Sequence, residues 1–286
     1  MPDCTPSEPS TPAPSWHAQL RLRLRFDDDA GTTRLSGRAH RGPLRVQKAL
    51  YPEGPRACHV IVVHPPGGVV GGDRLELDLD LGASTQVLAT TPGAAKWYRA
   101  NGRHREHASR QDVRLRVGAG AALEWLPQET IFYDDADVVL EHEVELAPDA
   151  RYIGAEILCF GRRAAGERFE RGQVRQRTRI RQGGRLVWWE QGILHGGAAM
   201  RSPLGLAGHS VCATLVAVGK PLPAPVLAAL RAADPALGLS QARSVFVARH
   251  LGDDSEAARA SLLRVWQALR PHLMACPARV PRIWNT

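Results

Sequence analysis

The sequence contains few cysteines for its length, and none of them lies close to another. The 286 residues include five, at Cys4, Cys58, Cys159, Cys212 and Cys276. No pair has the C-x-x-C spacing of a zinc or redox site, and an odd number of scattered thiols does not suit a disulfide framework. This pattern predicts buried free thiols in a reducing compartment.

Long apolar segments are also missing. The longest mainly apolar run covers residues 211–218 and is too short to cross a bilayer. Residues 1–15 are rich in Pro, Ser and Thr and contain no apolar core of a signal peptide, so we expect a disordered N-terminal tail. These absences predict a soluble cytoplasmic protein that does not contact a membrane.

No recognisable catalytic motif occurs in the chain. The G-x-S-x-G and H-E-x-x-H patterns are absent, and the glycine-rich stretch at 67–74 lacks the Lys and Ser/Thr of a phosphate-binding P-loop. His104 and His107 have H-x-x-H spacing, but neighbouring arginines disfavour a cation site there. We therefore expect no enzymatic activity and no tightly bound cofactor.

Positive charge is in excess and is carried almost entirely by arginine. Lys and Arg number 37 against 29 Asp and Glu, which gives a formal net charge of +8. Such a balance favours an acidic protein or a nucleic acid as partner, or a solvated surface. Aromatic residues make up only 6% of the chain, and none interrupts the arginine-rich segments 21–25 and 175–181. Because RNA-binding modules stack bases on aromatic rings, nucleic-acid binding is a remote alternative.

Period-two alternation of apolar and polar residues dominates the body of the chain. It occurs at 20–26, 75–81, 113–117, 141–146 and 174–181, with glycine-rich turns between the segments. Apolar runs at 60–63 and 211–218 predict strands that are buried on both faces. Helices are predicted near 225–232 and 254–270, the second stopped by Pro271. The expected fold is therefore mostly β, with stacked sheets and a small C-terminal two-helix element.

Acidic side chains recur on one face of two predicted strands. Glu76, Asp78 and Asp80 share a face of the first strand, and the second carries three glutamates at 141, 143 and 145. Such a face is usually solvated. Alternatively, its oxygens could form a path for a divalent cation that carboxylates and water hold loosely.

Five blocks of sequence resemble, in the same order, the UreD (UreH) family of urease accessory proteins. They are HPPGGVVGGDRL at 64–75, TTPGAAKWYR at 90–99, GAALEWLPQETIFYDDA at 120–136, LCFGRRAAGERFERG at 158–172 and GLAGHSVCATLVA at 205–217.

The resemblance implies an elongated, β-helix-like body and a role in maturation of the urease nickel centre. Family members bind the urease apoprotein and the accessory protein UreF, which recruits the GTPase UreG. They are thought to pass nickel through an internal channel, so nickel would be in transit and not a resident cofactor. By this resemblance, one domain would cover residues 16–274, followed by an extended tail at 275–286.

The same resemblance suggests functional residues. Asp73 and Glu76 become candidate carboxylates of the nickel path, and Glu156 and Glu190 are added to them. Lys96, Trp97, Tyr98 and Arg99 lie in the block most typical of the family, and they fix either the fold or a partner surface. In the tail, Ile283 and Trp284 form an exposed apolar anchor for a partner. A channel-free alternative keeps the same partners, and the protein then only holds urease open to nickel.

Overall fold

The computed structural model describes residues 15–100 and 107–285. The predicted disordered tail therefore lies almost wholly outside the described residues, as does His104. The strands are β1 His17–Asp27, β2 Thr32–Arg41, β3 Arg45–Val46, β4 Ala57–Val63, β5 Arg74–Leu81, β6 Gln86–Thr90, β7 Ala95–Trp97, β8 Ser109–Val117, β9 Ala122–Leu126, β10 Thr130–Phe132, β11 Ala136–Leu146, β12 Arg151–Phe160, β13 Gly172–Gln182, β14 Arg185–His195, β15 Val211–Val218, β16 Gly238–Ala242 and β17 Val245–Gly252. The helices are α1 Ala198–Arg201, α2 Ala224–Ala233 and α3 Ser255–Leu273.

Seven of these strands form an outer sheet in the order β14-β13-β11-β8-β5-β1-β2. Each period-two segment of the sequence is one of its strands. In β1 the leucines at 20, 22 and 24 are buried while the arginines at 21, 23 and 25 are exposed, as strand geometry requires when one face is covered. The alternation therefore predicted both the strands and the face that each one buries.

The remaining strands form a central sheet whose main path is β16-β17-β15-β12-β9-β6-β4-β3, with β7 and β10 beside it. Its inward face packs on the outer sheet and its other face packs on α2 and α3. Strands β4 and β15 are consequently apolar along almost their whole length, because they are covered on both faces. The prediction of doubly buried strands is confirmed.

Between β4 and β13 the chain alternates repeatedly between the two sheets, and the strands that neighbour one another within each sheet are mostly parallel. This arrangement confirms the mostly β class with stacked sheets. The elongated, β-helix-like form and the single domain over 16–274 stay predictions.

The two predicted helices are present. Helix α3 is capped by Asp254, whose side chain accepts hydrogen bonds from the backbone N–H groups of Glu256 and Ala257. Its apolar stripe, including Trp266 and Leu269, is buried against the central sheet. The prediction that Pro271 stops the helix is wrong. Proline lies in the last turn of α3, which continues to Leu273.

Candidate functional site: a cavity between the two sheets

A cavity of about 330 Å³ lies between the inward faces of the outer and central sheets. Two rows of polar side chains line it. The outer sheet contributes His142, Thr178 and Glu190, which are neighbours across β11, β13 and β14. The central sheet contributes Glu156 and Thr214, which are neighbours across β12 and β15. Polar residues thus face each other in an otherwise apolar interior.

Side-chain contacts join the two sheets at the cavity and beside it. The Gln176 amide of β13 donates a 2.5 Å hydrogen bond to the Glu156 carboxylate of β12. The Glu190 carboxylate of β14 accepts a 2.7 Å hydrogen bond from the Arg249 guanidinium of β17. The carboxylates of Glu156 and Glu190 are therefore each held in place by a residue of the opposite sheet.

The surroundings of Glu156 disfavour its charged form. Burial raises the pKa of its carboxyl group to about 7, and the Glu190 carboxylate adds to this shift. Burial also lowers the pKa of His142 to about 4, so that its imidazole is neutral. The cavity therefore holds a carboxyl group that loses its proton near neutral pH, opposite a neutral imidazole.

Tyr152 reaches this group of residues because the next inward position of β12 is a glycine. The hydroxyl of Tyr152 lies 3.4 Å from Nε2 of His142. A Cβ atom on Gly154 would collide with the Tyr152 ring. Because position 154 is glycine, the Tyr152 ring has room to lie along β12, and its hydroxyl contacts His142 of β11.

One end of the cavity reaches the surface. Gly67, Gly93 and Lys96 line the cavity and are exposed. Lys96 is one of the residues that the sequence resemblance assigned to a fold-fixing or partner-binding block. Its position at the rim places a cation beside the opening.

The structure does not bring Asp73 and Glu76 to the cavity. The carboxylate of Asp73 accepts hydrogen bonds from the backbone N–H groups of Trp16 and Val70, at 2.8 and 3.1 Å, and so fixes the turn before β5. Glu76 lies on the outer face of the outer sheet, opposite the face of Leu75 and Leu77, which line the cavity.

Glu76 is buried on that outer face, among polar and charged partners. Its side chain accepts a hydrogen bond from Gln19 and contacts His17 and Arg74. Although burial opposes ionisation, the Gln19 bond and the Arg74 charge hold the pKa of Glu76 below its usual value. Of the four predicted path carboxylates, the cavity therefore contains only Glu156 and Glu190.

The predicted acidic strand faces belong to a ladder of alternating charge. One row across the outer sheet consists of Arg21, Asp78, Arg114, Glu143 and Arg179. The next row repeats the pattern with Arg23, Asp80, Arg116, Glu145 and Arg181.

Because cations and anions alternate in each row, the acids are compensated by neighbouring strands. They form a charged outer surface, and no residue of either row lines the cavity. The same pairing neutralises the arginine strands, which weakens the nucleic-acid alternative.

The family-typical block around residue 97 is divided between core and surface. Trp97 is fully buried, so its contribution is to packing. The Tyr98 ring packs edge-on against Tyr133 with centroids 4.8 Å apart. Lys96 and Arg99 are exposed and stay candidate partner contacts.

The C-terminal residues are less exposed than the sequence predicts. Ile283 and Trp284 are half-buried within a short 3₁₀ turn, Arg282–Asn285. The Trp284 indole packs against Trp266 of α3 and donates a 2.8 Å hydrogen bond to Oγ1 of Thr90. The prediction of an exposed anchor is therefore wrong, because the protein's own helix covers much of the indole. Partner binding by these two residues stays a prediction.

Several residues of the site were missed by sequence reasoning. His142, Thr178 and Gln176 belong to strands that were recognised, but their importance depends on what the opposite sheet places in front of them. Large apolar side chains on the edge strand β14 were also missed, since Trp189 is 60% exposed and Ile193 is 56% exposed. The alternation in β14 could have indicated which of its side chains face outward. It could not have shown that no described segment of the chain packs over them.

Neither a dense cation site nor a membrane-spanning helix occurs in the described part of the chain. Within 15–100 and 107–285, no three His, Cys, Asp or Glu side chains are grouped in a way that could hold a metal ion. Among those residues, no helix has the length and apolar character to cross a bilayer.

Comparison with known proteins gives the family. The model of the family described as "UreD urease accessory protein" matches residues 17–285. A protein named urease accessory protein UreD from Janthinobacterium sp. (strain Marseille) is 58% identical over 275 residues, covering 94% of this chain and 92% of the relative. The UreD of Nitrosospira multiformis is 50% identical over 276 residues, with 94% and 98% of the two chains covered. The chain therefore belongs to the UreD family of urease accessory proteins.

Proposed function

We propose that this protein is a non-enzymatic scaffold for assembly of the nickel centre of urease. It binds the urease apoprotein and UreF, with UreG recruited through UreF, and nickel passes through the cavity between its sheets. Membership of the UreD family supports the accessory role. The proposal adds the partners and the route of the metal.

The observation that carries the route is the polar cavity between the sheets. Its lining includes the carboxyl groups of Glu156 and Glu190 and the amide of Gln176. Carboxylate and amide oxygens bind divalent cations weakly and exchange them readily, whereas clustered thiolates and imidazoles hold them firmly. Nickel is thus the cargo of the cavity, and a lining with few charged groups lets it move on.

A second reading keeps the partners and removes the passage. This reading is favoured because two carboxylates of the cavity already have partners within the protein. Glu156 is bonded to Gln176, and Glu190 is bonded to Arg249. On this reading the two contacts only join the sheets, and the protein holds urease in a form open to nickel that arrives from solution or directly from UreG.

The accessory function is tested by complementation. The protein is co-expressed with a urease operon that lacks its own UreD, and urease activity, urease nickel content and co-purification with urease and UreF are measured. The proposal predicts restored activity together with a complex that contains both partners. An inactive, nickel-free urease and no association with either partner would contradict it, and the operon with no UreD at all is the control.

A further inference from the structure

One segment of the chain carries positive charge without any compensating acid. Between Asp29 and Glu53 no Asp or Glu occurs, whereas the interval contains Arg34, Arg38, Arg41, Arg45 and Lys48. The segment thus accounts for five positive charges in a chain whose formal net charge is +8.

Three of these five cations form no salt bridge with a described residue. Arg34 pairs with Asp27, and the Arg45 guanidinium bonds backbone carbonyls of Gly42 and Leu44. Arg38, Arg41 and Lys48 are exposed and form no salt bridge with any described residue. Their charge is therefore available to a partner.

Two of the three unpaired cations, Arg38 and Arg41, lie on an open edge of the outer sheet, and Lys48 follows β3, the last strand of the central sheet. Strand β2 is the last strand of that sheet and pairs only with β1. By register Arg38 lies opposite Leu22 and Arg41 opposite Gln19, so the two arginines occupy opposite faces of the edge strand. A loop covers the start of β2, where the Thr33 N–H donates to the Pro55 carbonyl. Beyond Thr33, the described backbone gives β2 no partner on its outer side.

We infer that the β2 edge, from residue 35 to 41 together with Lys48, is a docking site for an acidic polypeptide segment that adds to the sheet as a strand. Main-chain hydrogen bonds to an open edge supply affinity, and charge complementarity supplies selectivity. Arg38 and Arg41 attract carboxylates on both faces of the added strand. Exposed Leu50 and Tyr51 follow Lys48 in the chain and offer apolar contact beside the cations.

A polypeptide fits this edge better than a nucleic acid does. The unpaired N–H and C=O groups of a strand edge match those of another strand, and a phosphate backbone has no such pattern. Cations on an edge strand also keep edges of different molecules apart in many proteins. If the cations of β2 have only this protective role, no peptide should bind the edge. A binding experiment therefore distinguishes protection from docking. The inference concerns β2 and does not depend on nickel passage.

The probes are a short peptide that alternates glutamate with valine, the same peptide with lysine in place of glutamate, and a short DNA duplex. We expect the full-length protein to bind the glutamate peptide at least about tenfold more tightly than either other probe at low salt, and to bind it more weakly as salt is raised. Hydrogen exchange should show new protection of the backbone amides within 35–41 on binding.

The triple variant Arg38→Glu, Arg41→Glu, Lys48→Glu should weaken binding of the glutamate peptide by about tenfold or more. The matched control reverses Arg168, Arg185 and Arg243, which are exposed, form no salt bridge with described residues and change the net charge equally. Binding by the control should match the unmodified protein. Tighter binding of DNA, equal loss in both triple variants, protection outside β2, or no binding of the glutamate peptide would each overturn the inference.

Discussion

The amide of Gln176 donates a 2.5 Å hydrogen bond to the carboxylate of Glu156 across the space between the two sheets. The two residues lie in β13 and β12, on facing sheets, and both line the cavity. The contact fixes the orientation of the one cavity carboxyl group whose pKa lies near neutral. Because burial shifts this pKa on folding, the protonation of Glu156 is measurable through the stability of the protein.

The pH dependence of stability should reveal Glu156. Because folding raises its pKa from 4.5 to about 7, the uncharged form is favoured in the folded protein. The resulting stabilisation, up to about 3 kcal/mol, is fully present below pH 4.5 and is lost as the pH rises through 7. The isosteric variant Glu156→Gln keeps the acceptor for Gln176. Its thermal midpoint should therefore exceed that of the unmodified protein at pH 8 but not at pH 4. An equal difference at both pH values would show that Glu156 ionises normally.

Cavity carboxylates and outer-face carboxylates should differ in their effect on nickel delivery. The double variant Glu156→Gln, Glu190→Gln should lower the nickel content of urease in the complementation assay several-fold, because it removes the charged oxygens of the proposed passage. Glu76→Gln is the control, since Glu76 lies on the opposite face of its sheet from the cavity. The assignment of the passage would be wrong if Glu76→Gln lowered the nickel content and the double variant did not.

The buried ion pairs of Arg270 should dominate the stability of the C-terminal helix. This guanidinium is fully buried and lies 3.0 Å from Glu124 and 2.6 Å from Glu53, which connects α3 to the central sheet and to the segment before β4. Removing one partner leaves a buried charge uncompensated and costs roughly 3–5 kcal/mol. Arg270→Met should show a loss of that size in urea denaturation. Arg181→Ala, which breaks only an exposed pair with Glu145, should change the free energy of unfolding by less than about 1 kcal/mol.

The role of Trp284 can be separated into stability and partner binding. Its contact with Trp266 and its hydrogen bond to Thr90 predict that Trp284→Ala lowers the free energy of unfolding by roughly 1–3 kcal/mol. Thr90→Val removes this hydrogen bond together with the one that Oγ1 of Thr90 donates to the Leu126 carbonyl, and it keeps the contact between the two indole rings. Binding of UreF, measured at a temperature where both variants are folded, then reports on the partner role. A variant that keeps full stability but loses UreF would mean that the indole faces the partner and not α3.

Much of the fold could be predicted from the sequence because strand alternation is a local signal. The leucines and arginines of 20–26 specify one covered face and one solvated face without knowledge of the neighbouring strand. The apolar β15 likewise specifies cover on both faces. The prediction was incomplete, because it gave no strand at β2, β12, β14 or β17. It also missed β16 and α1, whose five and four residues carry too little periodic signal.

The site was less predictable because it depends on pairing between distant residues. The acids of β5 and the arginines of β1 are compatible with a cation path or with a ladder, and only their register decides between the two. Glu156 and Gln176 are 20 residues apart and belong to different sheets. Nothing local in either segment shows that the other one faces it. The same reasoning applies to Trp284, whose cover is provided by Trp266 of α3.

The most direct test of the passage is to fill the cavity without removing any charge. Thr178 lies between His142 and Glu190 in the lining row of the outer sheet, and Thr178→Trp would occupy the space in front of Glu156, with Thr178→Val as the size-matched control. In the complementation assay both variants should fold and co-purify with urease and UreF, and only Thr178→Trp should leave urease poor in nickel and inactive. Full nickel loading by a folded Thr178→Trp variant would contradict a route through this cavity and leave the channel-free scaffold.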